Sequence, residues 1–338
     1  MEQKYYSISI LRVTSMLMIL GCHIANWLQV SFLAQSLSCG VEVFLIISGY
    51  LYSLKKIDSV KKFLINRFIK LLIPVYILVI LLSIYYYNRC GLFFVIKNAV
   101  FHILNLQGLP FIFLGVNIPG YSELAQTWFL TVLVICYILM LFCKKIELKI
   151  NKNISLRLFV IITLCLFLID AAFLLGRIQL GYIIVFFIGY FWGKYCDTNQ
   201  REKIEIKGEI VLSFIMLFSI GSRLFIRKYF DDTLLYNHFI SIISHFFIAF
   251  WIFYTIQFFE SIFPYIIEKI TNNWIFIFFE KHNFYIYLTH YMFFYGVLNI
   301  NQYNLSLTVK LLIMFMGTLI LSIVLRFLTQ IITNFNKK

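Results

Sequence analysis

Apolar runs of about 20 residues recur along the chain, and polar residues are concentrated in the intervals between them. An α-helix rises about 1.5 Å per residue, so a run of this length spans the hydrocarbon core of a bilayer. The pattern predicts an all-α, polytopic membrane helix bundle that forms one domain over residues 1–338. About ten transmembrane helices are expected, at residues 9–31, 37–54, 70–88, 126–143, 156–175, 180–196, 209–226, 237–258, 282–300 and 306–333.

Two parts of the chain depart from this pattern. Residues 92–104 and 109–119 are apolar but too short to cross a bilayer, and Pro110 and Pro119 interrupt the second stretch. We expect both to form an outer, interfacial or re-entrant loop. Residues 258–281 mix aromatic and charged side chains, which predicts helices along the cytoplasmic face. The first apolar run is expected to be a spanning helix rather than a removed signal peptide.

Basic residues are unevenly distributed between the two sides of this predicted topology. Ten spans place both termini on one side, and most of the 29 Lys and Arg residues fall in loops on that side, with clusters at 55–70, 144–157 and 194–207. Cytoplasmic loops of membrane proteins carry such an excess, so both termini are predicted to be cytoplasmic. This insertion pattern explains the net charge of +14, and no nucleic-acid partner is expected.

Composition agrees with a membrane domain and narrows the chemistry. Hydrophobic residues make up 62% of the chain and charged residues 13%, whereas soluble domains are roughly 25% charged. The seven cysteines form no C-x-x-C pair and have no histidine cluster beside them, so neither a disulfide framework nor a metal site is predicted. Internal repeats are one common sign of a secondary transporter, and this sequence has none.

Arg12 and His23 of the first span are candidate functional residues, because an ionisable side chain inside a membrane helix is costly. Eleven steps of about 100° return to nearly the same helix face, and the axial separation is roughly 16 Å. A guanidinium binds phosphate through two hydrogen bonds, whereas a neutral imidazole can take a proton from an attacking hydroxyl. The pair would suit a long phosphorylated donor. Alternatively, Arg12 reaches lipid headgroups and His23 bonds a neighbouring helix.

Further polar residues are expected near this face. Ser48 and Gly49 of the second span fall at about the depth of His23, although small residues at such positions also serve close helix packing. Arg67 and Lys70 are one turn apart at a predicted helix start, where phosphate binds well. Insertion topology is the alternative reason for their charge.

The other acids and histidines are weaker candidates. Glu42 and Asp170 are expected toward the outer membrane boundary and Glu123 in the outer loop, where each would contact a sugar or serve the interface. A structural role is expected for the histidines at four further positions, which are His102, His238, His245 and His282.

Five segments resemble motifs of the membrane acyltransferase family 3 and occur in that family's order. They are the first span with Arg12 and His23, Gly40-Val41-Glu42-Val43-Phe44 followed by Ser48-Gly49, the turn from Arg67 to Pro74, Thr127-Trp128-Phe129-Leu130, and Phe284-Tyr285-Ile286-Tyr287-Leu288-Thr289-His290. The resemblance covers nearly the whole chain. The family often has an acid where Ser9 stands, an arginine where Lys70 stands and a serine where Asn283 stands.

The resemblance implies a membrane-bound O-acyltransferase. It would move acetyl, or another short acyl group, from acyl-coenzyme A to a hydroxyl of a cell-surface or lipid-linked glycan. His23 stands in the position of the family's essential histidine, as general base, and Arg12 in that of its basic partner, so both are expected to be catalytic. Residues expected to bind the substrates are Arg67 and Lys70, toward the coenzyme phosphates, and Ser48, His290 and Glu42.

No metal or permanently bound cofactor is required, because a thioester is already an activated donor. Acyl-coenzyme A is therefore expected as a co-substrate, in a multi-pass protein of the cell membrane. Two other functions stay open, namely export of a polysaccharide or lipid-linked sugar, and a sensor or assembly subunit with a decayed site. The few acids within the spans count against a proton-coupled exporter, and the presence of both Arg12 and His23 counts against decay.

Overall fold

The computed structural model describes residues 6–110, 118–147, 161, 165, 181–195, 206–230 and 241–335. Within these ranges the secondary structure is helical and no strand occurs. The α-helices are α1 (Tyr6–Trp27), α2 (Ser31–Leu37), α3 (Gly40–Leu54), α4 (Val60–Ile103), α5 (Trp128–Glu147), α6 (Gly181–Tyr195), α7 (Ile206–Phe230), α8 (Ser241–Ile262), α9 (Pro264–Thr271), α10 (Trp274–Thr289) and α11 (Leu307–Phe335). Short 3₁₀ turns occur at Ser122–Thr127, His290–Phe293, Gly296–Leu298 and Ile300–Gln302.

Six segments among the described residues are long and apolar enough to cross a membrane. They are Tyr6–Trp27, Ser31–Leu54, Val60–Ile103, Ser122–Ile146, Ser244–Ile262 and Leu307–Asn334, and Gly181–Lys194 is a shorter apolar helix. The predicted all-α membrane class is confirmed for this part of the chain. The count of ten spans, the cytoplasmic termini and the single domain stay predictions. Apart from residues 161 and 165, the predicted span at 156–175 lies outside the described residues, as do Asp170 and His238.

Residues 92–103, predicted to lie in an outer, interfacial or re-entrant loop, are helical and form the last part of α4. Gly91 interrupts the helix with φ of 79° and ψ of 173°, a combination essentially restricted to glycine. The Tyr76 hydroxyl donates to the Ile103 carbonyl across 2.9 Å, so the chain beyond Gly91 folds back along the first part of the helix. The polar residues Asn88 and Arg89 mark the end of the predicted span before Gly91, but hydropathy does not show that the chain then folds back along the helix.

The predicted span at 282–300 is wrong, because α10 ends at Thr289 and 3₁₀ turns follow. In a continuing helix the Val297 N–H would donate to the carbonyl four residues earlier. It donates instead to the Glu123 carboxylate across 3.0 Å, beside Gly296 with φ of 80°. A buried side chain distant in sequence therefore replaces the helical bond. By contrast, residues 258–281 are largely helical, as predicted, and Pro264 opens α9.

Residues Met1–Lys55 and Ile135–Glu280 form one compact unit, and residues Lys56–Val134 and Lys281–Lys338 form a second. In the first unit α3 and α6 approach each other so closely that their backbones are in contact. A Cβ on Gly49 would overlap the Phe186 carbonyl, and a Cβ on Gly189 would overlap the Ile46 carbonyl. Small residues permit such close contact between membrane helices. The packing role predicted for Gly49 is thus confirmed.

Candidate active site

Helix α1 carries Arg12 and His23 in the first unit. It runs without interruption from Tyr6 to Trp27, so the eleven-residue separation keeps helical geometry and both residues lie on one face. Met16 and Ile19 lie between them on that face and are buried, whereas Arg12 and His23 are half-buried. Two accessible polar groups therefore flank an apolar stretch of the same helix.

A carboxylate that the sequence did not predict lies near the Arg12 end of α1. The Ser9 hydroxyl donates a hydrogen bond to the Glu280 carboxylate, and Ser9 is one turn before Arg12. Ser9 stands where the resembling family often has an acid. Because 271 residues separate Ser9 from Glu280, only the fold reveals that a carboxylate lies beside this turn of α1.

Glu42, predicted to bind substrate, belongs to a three-residue array that the sequence did not predict. Its Oε1 lies 3.3 Å from Nδ1 of His245 on α8, and Nε2 of the same imidazole lies 2.9 Å from the Ser38 hydroxyl. The Glu42 side chain is 8% exposed and that of His245 14% exposed. The His245 imidazole thus lies between a hydroxyl and a carboxylate, with a hydrogen bond to Ser38 on one side and the Glu42 carboxylate 3.3 Å from its other nitrogen.

This array adjoins the His23 end of α1. The Ser15 hydroxyl donates to the Gly40 carbonyl across 2.6 Å, which ties α1 to the start of α3. Leu37, the residue before Ser38, packs against Gly21, two residues before His23, and the helices that carry Glu42 and His245 both contact α1. Of the residues predicted for the site, the structure therefore brings Glu42 into the neighbourhood of His23.

Ser48 lies further along α3, where only 6% of its surface is exposed. It is next to Gly49 in the contact between α3 and α6. Its position agrees with the packing role that the sequence left open, and substrate binding by Ser48 stays a prediction.

Arg67 and Lys70 lie on α4 in the second unit, and their predicted place at a helix start is wrong. The helix begins at Val60, capped by the Ser59 hydroxyl, so Arg67 follows two helical turns later. The Arg67 guanidinium lies over the Phe63 ring, 5.7 Å from its centroid, and Lys70 is exposed. The free amides of a helix N-terminus thus give no support for phosphate binding here, which stays a prediction from charge alone.

His290 is buried in the second unit, where two of the resembling motifs contact each other. Its Nδ1 lies 2.7 Å from the Tyr287 carbonyl. The Tyr287 hydroxyl donates to the Gln126 carbonyl across 2.5 Å, and the Gln126 amide donates to the Leu288 carbonyl across 2.8 Å. The Phe129 ring also meets the Tyr287 ring edge to face, with centroids 6.0 Å apart. The segment 127–130 therefore packs on 284–290, and substrate binding by His290 stays a prediction.

Glu123 lies in the 3₁₀ turn Ser122–Thr127 before α5 and is fully buried. Its carboxylate accepts hydrogen bonds from the Tyr86 hydroxyl at 2.6 Å and the Val297 N–H at 3.0 Å. Nearby, Nε2 of His102 accepts the Tyr121 N–H across 2.9 Å, which agrees with the structural role expected for that histidine. The contacts of Glu123 give it a structural role, and its position on the outer side stays a prediction.

An apolar cleft of about 550 Å³ lies between α7 and α8 in the first unit. Its walls are mostly apolar, with Phe214, Phe218 and Phe247 among the lining residues, and none of the predicted site residues lines it. Sugars and phosphates require charged or hydrogen-bonding partners, so this cleft is not a good candidate for the active site.

The sequence matches the family model of an acyltransferase domain over residues 5–327, nearly the whole chain. The chain therefore belongs to the acyltransferase family 3, as its motifs predicted. No curated protein and no solved structure matches it. Family membership and the apolar helices together define a membrane acyltransferase.

Proposed function

We propose that the protein is an O-acyltransferase of the cell membrane that moves acetyl, or another short acyl group, from cytoplasmic acyl-coenzyme A to a hydroxyl of a cell-surface or lipid-linked glycan. The observation that carries this proposal is the family match over residues 5–327. The position of Arg12 and His23 on one face of an unbroken α1 supports it.

The donor would lie along α1. Arg12 would hold a phosphate of coenzyme A, since a guanidinium forms charge-assisted hydrogen bonds with phosphate oxygens. The narrow pantetheine arm would cover the roughly 16 Å between Arg12 and His23. Arg67 and Lys70 would add positive charge for the phosphates.

His23 would act on the acceptor. Its neutral imidazole takes the proton of the sugar hydroxyl while the oxygen attacks the acyl carbonyl carbon. The bond from that carbon to the leaving group breaks, and the proton passes from the imidazolium to the leaving group. Ser48, His290 and Glu42 remain the proposed substrate contacts.

The topology predicted from charge places the donor end of this path inside the cell. The basic clusters and both termini would be cytoplasmic, and His23 lies 17 residues after the start of α1 at Tyr6, which is about 25 Å along the axis. A hydrocarbon core is about 30 Å thick. His23 would therefore be reached by the donor arm from the cytoplasm and by the acceptor from outside.

Mass analysis of surface glycans tests this function. Cells with the wild-type gene, without it, with His23→Ala or with the matched variant Asn26→Ala on the same helix would be compared. We expect the acyl mass to disappear in the deletion and in His23→Ala, with the amount of polymer unchanged, and to persist in Asn26→Ala. Loss of the polymer itself from the cell surface would contradict an acyltransferase and indicate an exporter.

A further inference from the structure

We propose that the acyl group passes through a covalent ester on Ser38, formed with His245 as base and with Glu42 as the residue that positions His245. This relay rests on the proposed function, because it takes its acyl group from acyl-coenzyme A. It adds a nucleophile and a second histidine to the chemistry at His23.

The geometry of the array is that of an activated serine. The Ser38 oxygen lies 2.9 Å from Nε2 of His245, within the range over which a base removes a hydroxyl proton. Oε1 of Glu42 lies 3.3 Å from Nδ1 on the other side of the ring. A carboxylate at this position keeps the proton on Nδ1, which leaves the Nε2 lone pair free to accept the proton of Ser38.

The Ser38 hydroxyl has a second acceptor within reach, because its oxygen is also 2.7 Å from the Gln35 carbonyl. A hydroxyl carries one proton, so it donates to either Gln35 or His245 at a given moment. Rotation of the hydroxyl hydrogen alone interconverts the two states, and the oxygen need not move. The resting serine can therefore be held by Gln35 and become activated without rearrangement of the backbone.

Glu42 is placed as a positioning residue rather than as a surface charge. It is 6% exposed, and its Oε2 has no hydrogen-bond partner among the described residues. Burial of an incompletely bonded carboxylate is costly, and such groups in native structures often have a functional reason. Here the carboxylate would stabilise the imidazolium that forms when His245 takes the proton of Ser38.

The first half-reaction is complete with the groups named. His245 takes the proton from Ser38 as the oxygen attacks the thioester carbonyl carbon. The carbon–sulfur bond then breaks, and the coenzyme thiolate leaves with the proton from the imidazolium. The products are an O-acyl ester on Ser38 and free coenzyme A.

The second half-reaction restores the serine. His23 takes the proton of the acceptor hydroxyl, whose oxygen attacks the ester carbonyl carbon. The bond from that carbon to the Ser38 oxygen breaks, and the proton is returned to that oxygen through the imidazolium. Helix α1 contacts both α3 and α8, and Leu37, the residue before Ser38, packs against Gly21 of α1, so the array lies next to the helix that carries His23.

Trapping of the acyl-enzyme tests the relay. Purified full-length protein would be mixed with acetyl-labelled acetyl-coenzyme A without acceptor, and both retained label and released coenzyme A would be measured. Ser38→Ala removes the nucleophile. Ser36→Ala is the matched control, because Ser36 lies two residues before Ser38, on α2, and its hydroxyl bonds the Phe32 carbonyl. We expect the wild type and Ser36→Ala to retain about one label per chain on the Ser38 peptide, and Ser38→Ala to retain none.

Variants of the other two residues separate catalysis from folding. His245→Gln should slow the release of coenzyme A by about 10²–10⁴-fold. Glu42→Gln should slow the release of coenzyme A with little change in KM for acetyl-coenzyme A. Glu42→Asp should recover part of the rate, because the carboxylate group itself orients the imidazole. Equal rates for Glu42→Gln and the wild type would remove Glu42 from the relay.

The outcomes distinguish the relay from the proposed function. If the wild type acylates a glycan acceptor but never retains label, or if Ser38→Ala acylates it at the wild-type rate, the relay is wrong and the function stands. Label on Cys39 or Cys22 instead of Ser38, detected as a thioester cleaved by neutral hydroxylamine, also overturns it. A wild type that neither retains nor transfers the acetyl group contradicts both.

Discussion

The Ile46 carbonyl of α3 lies against Gly189 of α6 so closely that a Cβ on Gly189 would overlap it. This contact involves backbone atoms, which cannot move aside as a flexible side chain can. Helix α3 also carries Glu42 and Ser48. The glycine therefore fixes the position of a helix that supplies predicted site residues.

Substitution of Gly189 should destabilise the first unit. Gly189→Ala forces the helices apart, and overpacking of this kind typically costs about 1–3 kcal/mol. Gly221→Ala on α7 is the matched control, because a Cβ there meets nothing within 4 Å and alanine favours a helix over glycine by about 1 kcal/mol. Thermal unfolding in detergent should show a lower midpoint for Gly189→Ala alone. Equal midpoints for the two variants would contradict the close contact.

The hydrogen bond between Tyr86 and Glu123 should stabilise the second unit. Tyr86→Phe leaves a fully buried carboxylate without one of its donors, and loss of such a bond costs about 1–3 kcal/mol. Tyr87→Phe is the neighbouring control, since Tyr87 is 56% exposed. The midpoint of thermal unfolding should be lower for Tyr86→Phe than for Tyr87→Phe. Equal midpoints for the two variants would show that the Tyr86 hydrogen bond makes no specific contribution to stability.

The sequence predicted the membrane class and many helices correctly, because apolar run length reports directly on the medium that surrounds a helix. It was wrong beyond Thr289, where a bond from Val297 to Glu123 replaces a helical one. This bond does not alter hydropathy, so the end of the helix there could not be predicted from periodicity. At Gly91 the polar residues Asn88 and Arg89 marked the end of a span, but the reversal of α4 depends on a glycine backbone conformation that hydropathy does not report.

The candidate site could be predicted only where its residues share one helix. Arg12 and His23 share one helix, so their spacing alone gave their common face. Ser38 follows α2, Glu42 is on α3 and His245 is on α8, with 207 residues between the serine and the histidine. The proximity of His245 to the other two is set by the packing of α3 against α8, for which the sequence carries no local pattern.

Arg12 should bind a phosphate of the donor. Arg12→Ala is expected to weaken binding of coenzyme A by about 1.5–3 kcal/mol, the usual contribution of a charged hydrogen bond, which is roughly 10- to 150-fold in Kd. Titration with coenzyme A and with its dephosphorylated form would measure this. Lys97→Ala, at an exposed position on the predicted outer side, is the control. If Arg12→Ala bound coenzyme A as tightly as the wild type, Arg12 would instead be a residue that contacts lipid headgroups.

His23 should be required for chemistry but not for folding. In His23→Ala, acyl transfer to the acceptor is expected to fall by about 10²–10⁴-fold, the usual contribution of a general base. Membrane abundance should stay near normal, because alanine inserts more easily than imidazole. Rates would be measured at equal amounts of folded protein. Activity within a few-fold of wild type would require another base.

Sealed vesicles of known orientation test most directly whether the protein carries an acyl group from a cytoplasmic donor to an acceptor on the other side. Labelled acetyl-coenzyme A is supplied to the cytoplasmic face, and a membrane-impermeant sugar acceptor is supplied to either the same face or the opposite one, with His23→Ala vesicles as the control. We predict labelled product when donor and acceptor are on opposite faces, and none with His23→Ala. Product that forms only when both substrates are on the cytoplasmic face would contradict transfer across the membrane.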